Sequence, residues 1–314
     1  MIIELSKQKI ISHTIPIGFL VIWSGGAVFA KVGLNYTTPW SFLLLRSAIA
    51  LTLLLAIFLA KPKTHPSNYQ LFLRLLTDSA NLWQIIYAGL LMQVFYLTFY
   101  FLAIQTGLSL GIIILILGLQ PLLTAILTSP TLNYRDLFLL LICFLGLVIA
   151  TIGYHAINEV NTLGLLFSVL ALLAITFGTI AQAKVHLPTF SSNSNTNIVI
   201  LLIQTTIAVI MFSLIVLFKG FYFEVNPYSM ASLIWMGAIV SVGAYLLLMV
   251  MLKISSANKV STLFFLLPLL TMILESLVFD TSISSLSMLG VFIVCMGLLL
   301  YQIVQRKQPF ERQQ

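Results

Sequence analysis

The chain of 314 residues is 7% charged and 60% hydrophobic, with a mean hydropathy of +1.10. A soluble domain carries about a quarter charged residues, so this balance excludes an ordinary globular protein and makes the lipid bilayer the chain's main solvent. The net charge of +7 does not point to nucleic acid, because Lys and Arg are spread through short loops with no basic stripe or stacking platform.

The N-terminal MIIELSKQKIISHTI has no small-residue cleavage pattern, so no removable signal peptide is expected. Ten apolar runs of spanning length follow, near 14–33, 40–60, 81–103, 109–128, 135–153, 163–183, 197–217, 229–251, 259–279 and 285–304. Runs of about twenty residues without strict alternation predict membrane-spanning helices rather than the ten-residue strands of a barrel. Of the 15 Lys and Arg, Lys31 and Arg46 lie within predicted spans and only Lys219 falls in a loop on the outer side. That asymmetry places both termini in the cytoplasm, and the expected location is a multi-pass position in a bacterial inner (plasma) membrane.

The chain repeats itself. PLLTAIL (121–127) returns as PLLTMIL (268–274), AKV (30–32) returns as AKV (183–185), and Tyr96-Leu97 corresponds to Tyr245-Leu246, all at offsets near 147–153. Five spans per half is an odd number, so the two copies enter the membrane in opposite senses, an architecture of transporters whose substrate site lies at the repeat interface. The expected units are 1–158 and 159–314, two inverted five-helix repeats around a central cavity, joined through the polar segment HAINEVNT (155–162).

Residues IWSGGAVFAKVGL (22–34), TTPWSFLLLR (37–46), SSANKVSTLFFLLPLLTMILESLVFD (255–280) and MLGVFIVCMGLLL (288–300) carry a resemblance over nearly the whole chain. Together they resemble the drug/metabolite transporter superfamily, in its EamA-like branch. The Trp-Gly start of that pattern is here Trp23-Ser24-Gly25, and Glu275 is an addition of this sequence. The resemblance implies small-molecule transport, with the fifth and tenth helices peripheral and the other eight around the cavity. A homodimer formed through the peripheral helices is a further expectation.

Charges within the spans are the residues to explain. A charge at the bilayer centre costs about 2.5–3.5 kcal/mol on insertion scales. Counting about 1.5 Å per residue across a layer about 30 Å thick puts Lys31, Arg46 and Glu275 all in the outer third. An embedded charge pairs or faces an aqueous cavity; Lys31 has the alternative of snorkelling to the outer headgroups, Arg46 that of a structural pair, and Glu275 that of solvation at the interface or a static brace. If it lines the cavity, Glu275 is a candidate proton carrier. Gln93, Tyr96 and Tyr100 stand at i, i+3 and i+7, one face of a regular helix. With Trp23, Gln120, Gln182, Tyr245, Asn258 and Lys259 they complete the candidate substrate cavity; Lys259 has the alternative of an interfacial anchor. Pro121 and Pro268 are symmetry-related candidates for hinges, with a packing kink as the alternative.

The four histidines (His13, His65, His155, His186) fall in predicted loops or tails without shared spacing. Cys143 and Cys295 lie in apolar runs and read as buried fillers. No metal site, cofactor or catalytic cluster is expected, and the protein is read as a non-enzyme. The leading reading is a secondary transporter or exporter of small polar or amphipathic metabolites, amino acids or their derivatives first, working by alternating access. The alternatives are a transporter of nucleotide-like or other organic anions and, from another class, a non-transporting membrane scaffold or sensor.

Overall fold

The computed structural model of the protein describes residues 2–60, 73, 77–108, 110–128, 134–154, 161–185, 194–255, 257–279 and 283–307. The helices are α1 (Ile2–Leu34), α2 (Pro39–Ala60), α3 (Ser79–Gln105), α4a (Leu110–Leu117) with α4b (Gln120–Thr128), α5 (Tyr134–Tyr154), α6 (Thr162–Ala183), α7 (Ser194–Lys219), α8 (Pro227–Ile254), α9 and α10 (Ser285–Lys307). α9 is built from Ala257–Ser261, a 3-10 turn at Thr262–Phe265 and Leu266–Phe279. Among the described residues eight helices are long and apolar enough to cross a bilayer, and Ile112–Thr128 and Ser285–Tyr301 are shorter apolar helices. The described fold is helical throughout, as lipid demands of backbone groups that find no water. Its one strand-like feature among the described residues is a bridge between Thr37 and Phe223.

Two predicted features change. α1 starts at Ile2, well before the expected residue 14, so His13 lies on a helix rather than in a tail. The predicted span 109–128 is broken after Leu117. Helix starts are capped as the local sequence dictates. Asn161 accepts from the Leu163 and Gly164 amides, and Asn226 with Ser229 forms a reciprocal box ahead of α8, with Pro227 inside its first turn. α3 and α7 run out at Gly107 and Gly220, both with positive φ, a region that glycine enters without Cβ strain.

The packing divides the bundle. The main core is drawn from α1–α4a and α6–α9. A separate cluster joins α4b, α5, α9 and α10 through Leu122, Leu140, Leu147, Leu269, Val294 and Tyr301. α5 and α10 approach backbone to backbone at two glycines. A Cβ on Gly146 would stand 2.9 Å from the Val294 nitrogen, and one on Gly290 would collide with Ala150. Small residues permit such contact where no hydrophobic effect drives helices together. This leaves α5 and α10 outside the main core, and Cys295 is exposed on α10 rather than buried like Cys143.

Candidate functional site

Four helices depart from regular α geometry beside the centre of the bundle, in matched pairs. α3 contains a π-helical stretch, Leu90–Phe95, and α8 contains another, Trp235–Ala244. Each ends immediately before one of the two tyrosines that repeat at an offset of 149, Tyr96 and Tyr245. The second pair is α4 and α9. Helix α4 breaks at Gly118-Leu119, just ahead of Pro121, and α9 tightens to a 3-10 turn ahead of Pro268. A proline supplies no amide to the preceding turn, so a discontinuity there leaves fewer backbone groups unmet. π turns are rare and recur at functional sites.

These irregularities border one cavity at the centre of the bundle, about 70 Å³ in volume. Trp23, Arg46, Tyr96, Tyr100, Gln120, Tyr245 and Pro268 all line it. Its walls are largely aromatic. The Trp23 ring lies 6.4 Å from Tyr96, 5.3 Å from Tyr245 and 6.0 Å from Phe264, centre to centre, and Tyr96 and Tyr100 stack at 5.8 Å.

Arg46 is 1% exposed. Its Nε donates to the Met236 carbonyl at 3.2 Å, and Ser241 Oγ donates to the same oxygen at 2.6 Å. Both Met236 and Ser241 belong to the π stretch of α8. In return Tyr245 donates its hydroxyl to the Met92 carbonyl, in the π stretch of α3, at 2.9 Å. The halves are therefore tied by a reciprocal pair of bonds, each running from a side chain of one half to a π-helical carbonyl of the other. Tyr245 and Tyr96 stand beside the guanidinium. Beyond the Tyr245 phenol, its two outer nitrogens, Nη1 and Nη2, meet no hydrogen-bond partner among the described residues. Buried donors in native proteins almost always find one, because leaving a polar group unmet costs about 1–3 kcal/mol, and more for a charge. Gln120 repeats the pattern on a smaller scale: its Nε2 donates to Thr179 Oγ1 at 3.3 Å, and its Oε1 accepts no hydrogen bond from the described residues.

The remaining predicted residues lie elsewhere. Lys31 is exposed and borders a different pocket, with Leu34, Asn35, Thr37, Ile104 and Gln105. Gln93 is buried but does not line the cavity. It sits inside the π stretch of α3, whose wider turn breaks the regular i, i+3, i+7 phase, so Tyr96 and Tyr100 reach the cavity and Gln93 does not. Gln182 is engaged by Gln204 of α7, whose Nε2 donates to Gln182 Oε1 at 2.7 Å and to the Ile85 carbonyl at 3.3 Å. That contact ties α6, α7 and α3 behind the cavity wall. Pro121 is buried without lining the cavity, and Lys259 is exposed. The side chains of Asn258 and Glu275 lie outside the described residues.

Sequence reasoning missed Ser241 and Gln204, and it missed the apolar lining residues Ala27, Ile114, Val240 and Leu267. Nothing separates an apolar cavity wall from an apolar lipid face in a span that is apolar all round. Ser24 carried a signal, because it departs from the resembled pattern. Its Oγ donates to the Leu267 carbonyl at 3.4 Å, and Thr271 Oγ1 donates to the Ser24 carbonyl at 3.4 Å, so the departure pins α1 to α9.

Each half of the chain matches the model of the EamA-like transporter family, over residues 13–153 and 162–302. No curated protein matches the chain. A solved structure described only as the crystal structure of a protein superposes with a TM-score of 0.68 at 17% identity, covering 94% of this chain and 98% of its own. At that identity the likeness speaks for the fold alone.

Proposed function

The chain belongs to the EamA-like transporter family, and from that premise we propose that it carries small carboxylates with a flat or apolar body across the membrane by alternating access, amino acids and their derivatives first. The observation that carries this reading is the buried guanidinium of Arg46 beside the cavity, held at Nε by the Met236 carbonyl and faced by the Tyr245 phenol. Two parallel N–H groups on a planar fork suit a carboxylate, which accepts both at once. Aromatic rings around that fork suit a flat or apolar body, and Gln120 Oε1 offers an acceptor for a substrate amine or hydroxyl. Lys31 and Lys259 stand apart from this lining, so the described cavity holds one cation and favours a single negative charge over a nucleotide-like polyanion.

The reciprocal bonds supply a rationale for alternation. Opening the cavity to the other side requires the halves to part where Arg46 meets Met236 and where Tyr245 meets Met92. Both acceptors lie in π stretches, where a one-residue change of register hands a carbonyl from one donor to another. Loop Lys and Arg favour cytoplasmic termini and an inner-membrane location.

Reconstitution into liposomes with a panel of amino acids, other monocarboxylates, sugars and nucleotides tests the reading. Accumulation or exchange of monocarboxylates is expected. Flux restricted to polyanions overturns the substrate class. No flux for any compound replaces the transporter with a scaffold or sensor.

A further inference from the structure

Gln120 opens α4b, directly after the break at Gly118-Leu119, and is 1% exposed at the cavity wall. Its carboxamide has a fixed sense. Thr179 Oγ1 carries one proton and gives it to the Ile175 carbonyl at 2.7 Å, one turn back along α6. Toward Gln120, at 3.3 Å, that hydroxyl can only accept, so the amide turns its NH2 to Thr179. Oε1 is left as a bare acceptor, and no hydrogen bond from the described residues reaches it. The backbone beneath it is pinned as well, since Thr124 Oγ1 donates to the Gln120 carbonyl at 2.8 Å.

The second half shows that packing does not require such an oxygen. By the repeat of PLLTAIL as PLLTMIL, Leu267 stands where Gln120 does, and it too lines the cavity. By the repeat of AKV, Gly26 stands where Thr179 does. There α9 is joined to α1 by Ser24 Oγ on the Leu267 carbonyl and Thr271 Oγ1 on the Ser24 carbonyl. Both hydroxyls in that tie have an acceptor. The first half instead keeps a buried acceptor unmet, a costly state that native proteins rarely tolerate without a use.

We propose that the Thr179–Gln120 relay is the cavity's specificity determinant: it demands an ammonium donor beside the substrate's carboxylate and rejects the matching keto and unsubstituted acids. The proposal rests on the carboxylate reading above and deepens it. A cavity of about 70 Å³ holds one small molecule, so the same ligand meets Arg46 and Gln120. An ammonium is favoured over a hydroxyl because its hydrogen bond to Oε1 is charge-assisted. The π faces of Trp23, Tyr96 and Tyr100, which share the lining, also attract a cation. A keto acid would set oxygen against oxygen, and an unsubstituted acid would leave Oε1 dry and unmet. Sites built to hydrogen-bond a substrate group reject analogues lacking it far better than apolar sites do. Thr179 does not line the cavity, so it is a positioning residue that holds the amide's sense.

Isothermal titration of the purified protein with leucine, leucate, isocaproate, ketoisocaproate and isoamylamine tests this. The four acids differ only in the group beside the carboxylate, and isoamylamine has the amine without the carboxylate. Leucine is expected to bind about tenfold to a hundredfold more tightly than isocaproate, with leucate between them and ketoisocaproate weakest. Gln120→Leu, which copies the second half, should bring the ratio of leucine to isocaproate affinity near one. Thr179→Val frees the amide to turn its NH2 inward, so ketoisocaproate should gain on leucine, whereas Thr179→Ser keeps the wild-type order. A merely structural tie predicts that every variant weakens all the acids alike. An unchanged order in Thr179→Val and Gln120→Leu overturns the relay; if Gln120→Leu does not fold, Thr179→Val alone decides. Four acids that bind the wild type equally well overturn the relay and leave the carboxylate reading in place. Isoamylamine bound in a Gln120-dependent way, with none of the acids bound, keeps the donor requirement and removes the carboxylate reading. No binding of any of the five removes both.

Discussion

The first and second halves of the bundle match in backbone and differ in charge. α3 and α8 each carry a π stretch that stops just before a cavity tyrosine, and α4 and α9 each lose regular helix ahead of a proline. Arg46 in α2 has no such counterpart, since α7 contains neither Lys nor Arg before Lys219 at its end. Duplicated breaks with unduplicated charge separate two tasks. On the proposed function, the breaks would let both halves move past each other. On the same proposal one guanidinium suffices for one substrate group, and a second would add another buried charge to satisfy.

The largest effect should come from removing the unduplicated part. Arg46→Ala is expected to cut flux by about 30- to 160-fold, the rate equivalent of ~2–3 kcal/mol for charge-assisted hydrogen bonds, with folded yield changed far less. Arg46→Lys should fall between, keeping the charge and losing the fork. Wild-type flux in Arg46→Ala, measured in liposomes at matched protein content, breaks the division of tasks.

Next come the duplicated breaks. Pro121→Ala and Pro268→Ala should each slow turnover by about tenfold or less, because they restore an amide where the helix now yields. Equal losses in the two variants, read as kcat from initial rates, sharpen the comparison. A loss confined to Pro268, the proline that lines the cavity, would assign it to contact rather than to hinging.

Tyr245→Phe removes one of the reciprocal bonds, worth about 1 kcal/mol, and should shift the balance between inward- and outward-open states about fivefold. Accessibility of engineered cysteines at the two ends of the bundle measures that shift. An unchanged ratio means that the Tyr245–Met92 bond is equally strong in both states. Ser241→Ala should be the mildest change. The Met236 carbonyl keeps the Arg46 donor, so a melting-temperature loss corresponding to about 0.5–1 kcal/mol is expected, with flux within about twofold.

The amino-acid sequence discloses the spans and the repeat because lipid imposes length and apolarity on every helix. It discloses Arg46, Tyr96, Tyr245 and Gln120 because polar side chains in such spans stand out. Its errors have physical causes. Gln93 looks aligned with Tyr96 only if α3 keeps 3.6 residues per turn, and the π stretch between them changes the phase. Gln182 looks like a cavity donor until Gln204 is seen to engage it, a contact between helices that spacing along one helix cannot reveal. Lys31 and Arg46 lie at similar predicted depths, yet depth does not say which way a side chain faces, and they line two separate spaces. The broken α4 is hidden because Gly118-Leu119 is as apolar as its neighbours.

The acceptor for Arg46 lies 190 residues later in the chain. At a synthesis rate of about 5–20 residues per second, α2 leaves the ribosome roughly ten to forty seconds before the Met236 carbonyl exists. The arginine must therefore enter the bilayer without its partner. On insertion scales it costs about 2.5–3.5 kcal/mol, while Leu, Ile and Phe return about 0.3–0.6 kcal/mol each. α2 contains twelve of these residues, enough to carry the charge in unaided. Its leucine-rich composition thus serves biogenesis as much as packing, since a less apolar helix would stall at the translocon until the second half was made.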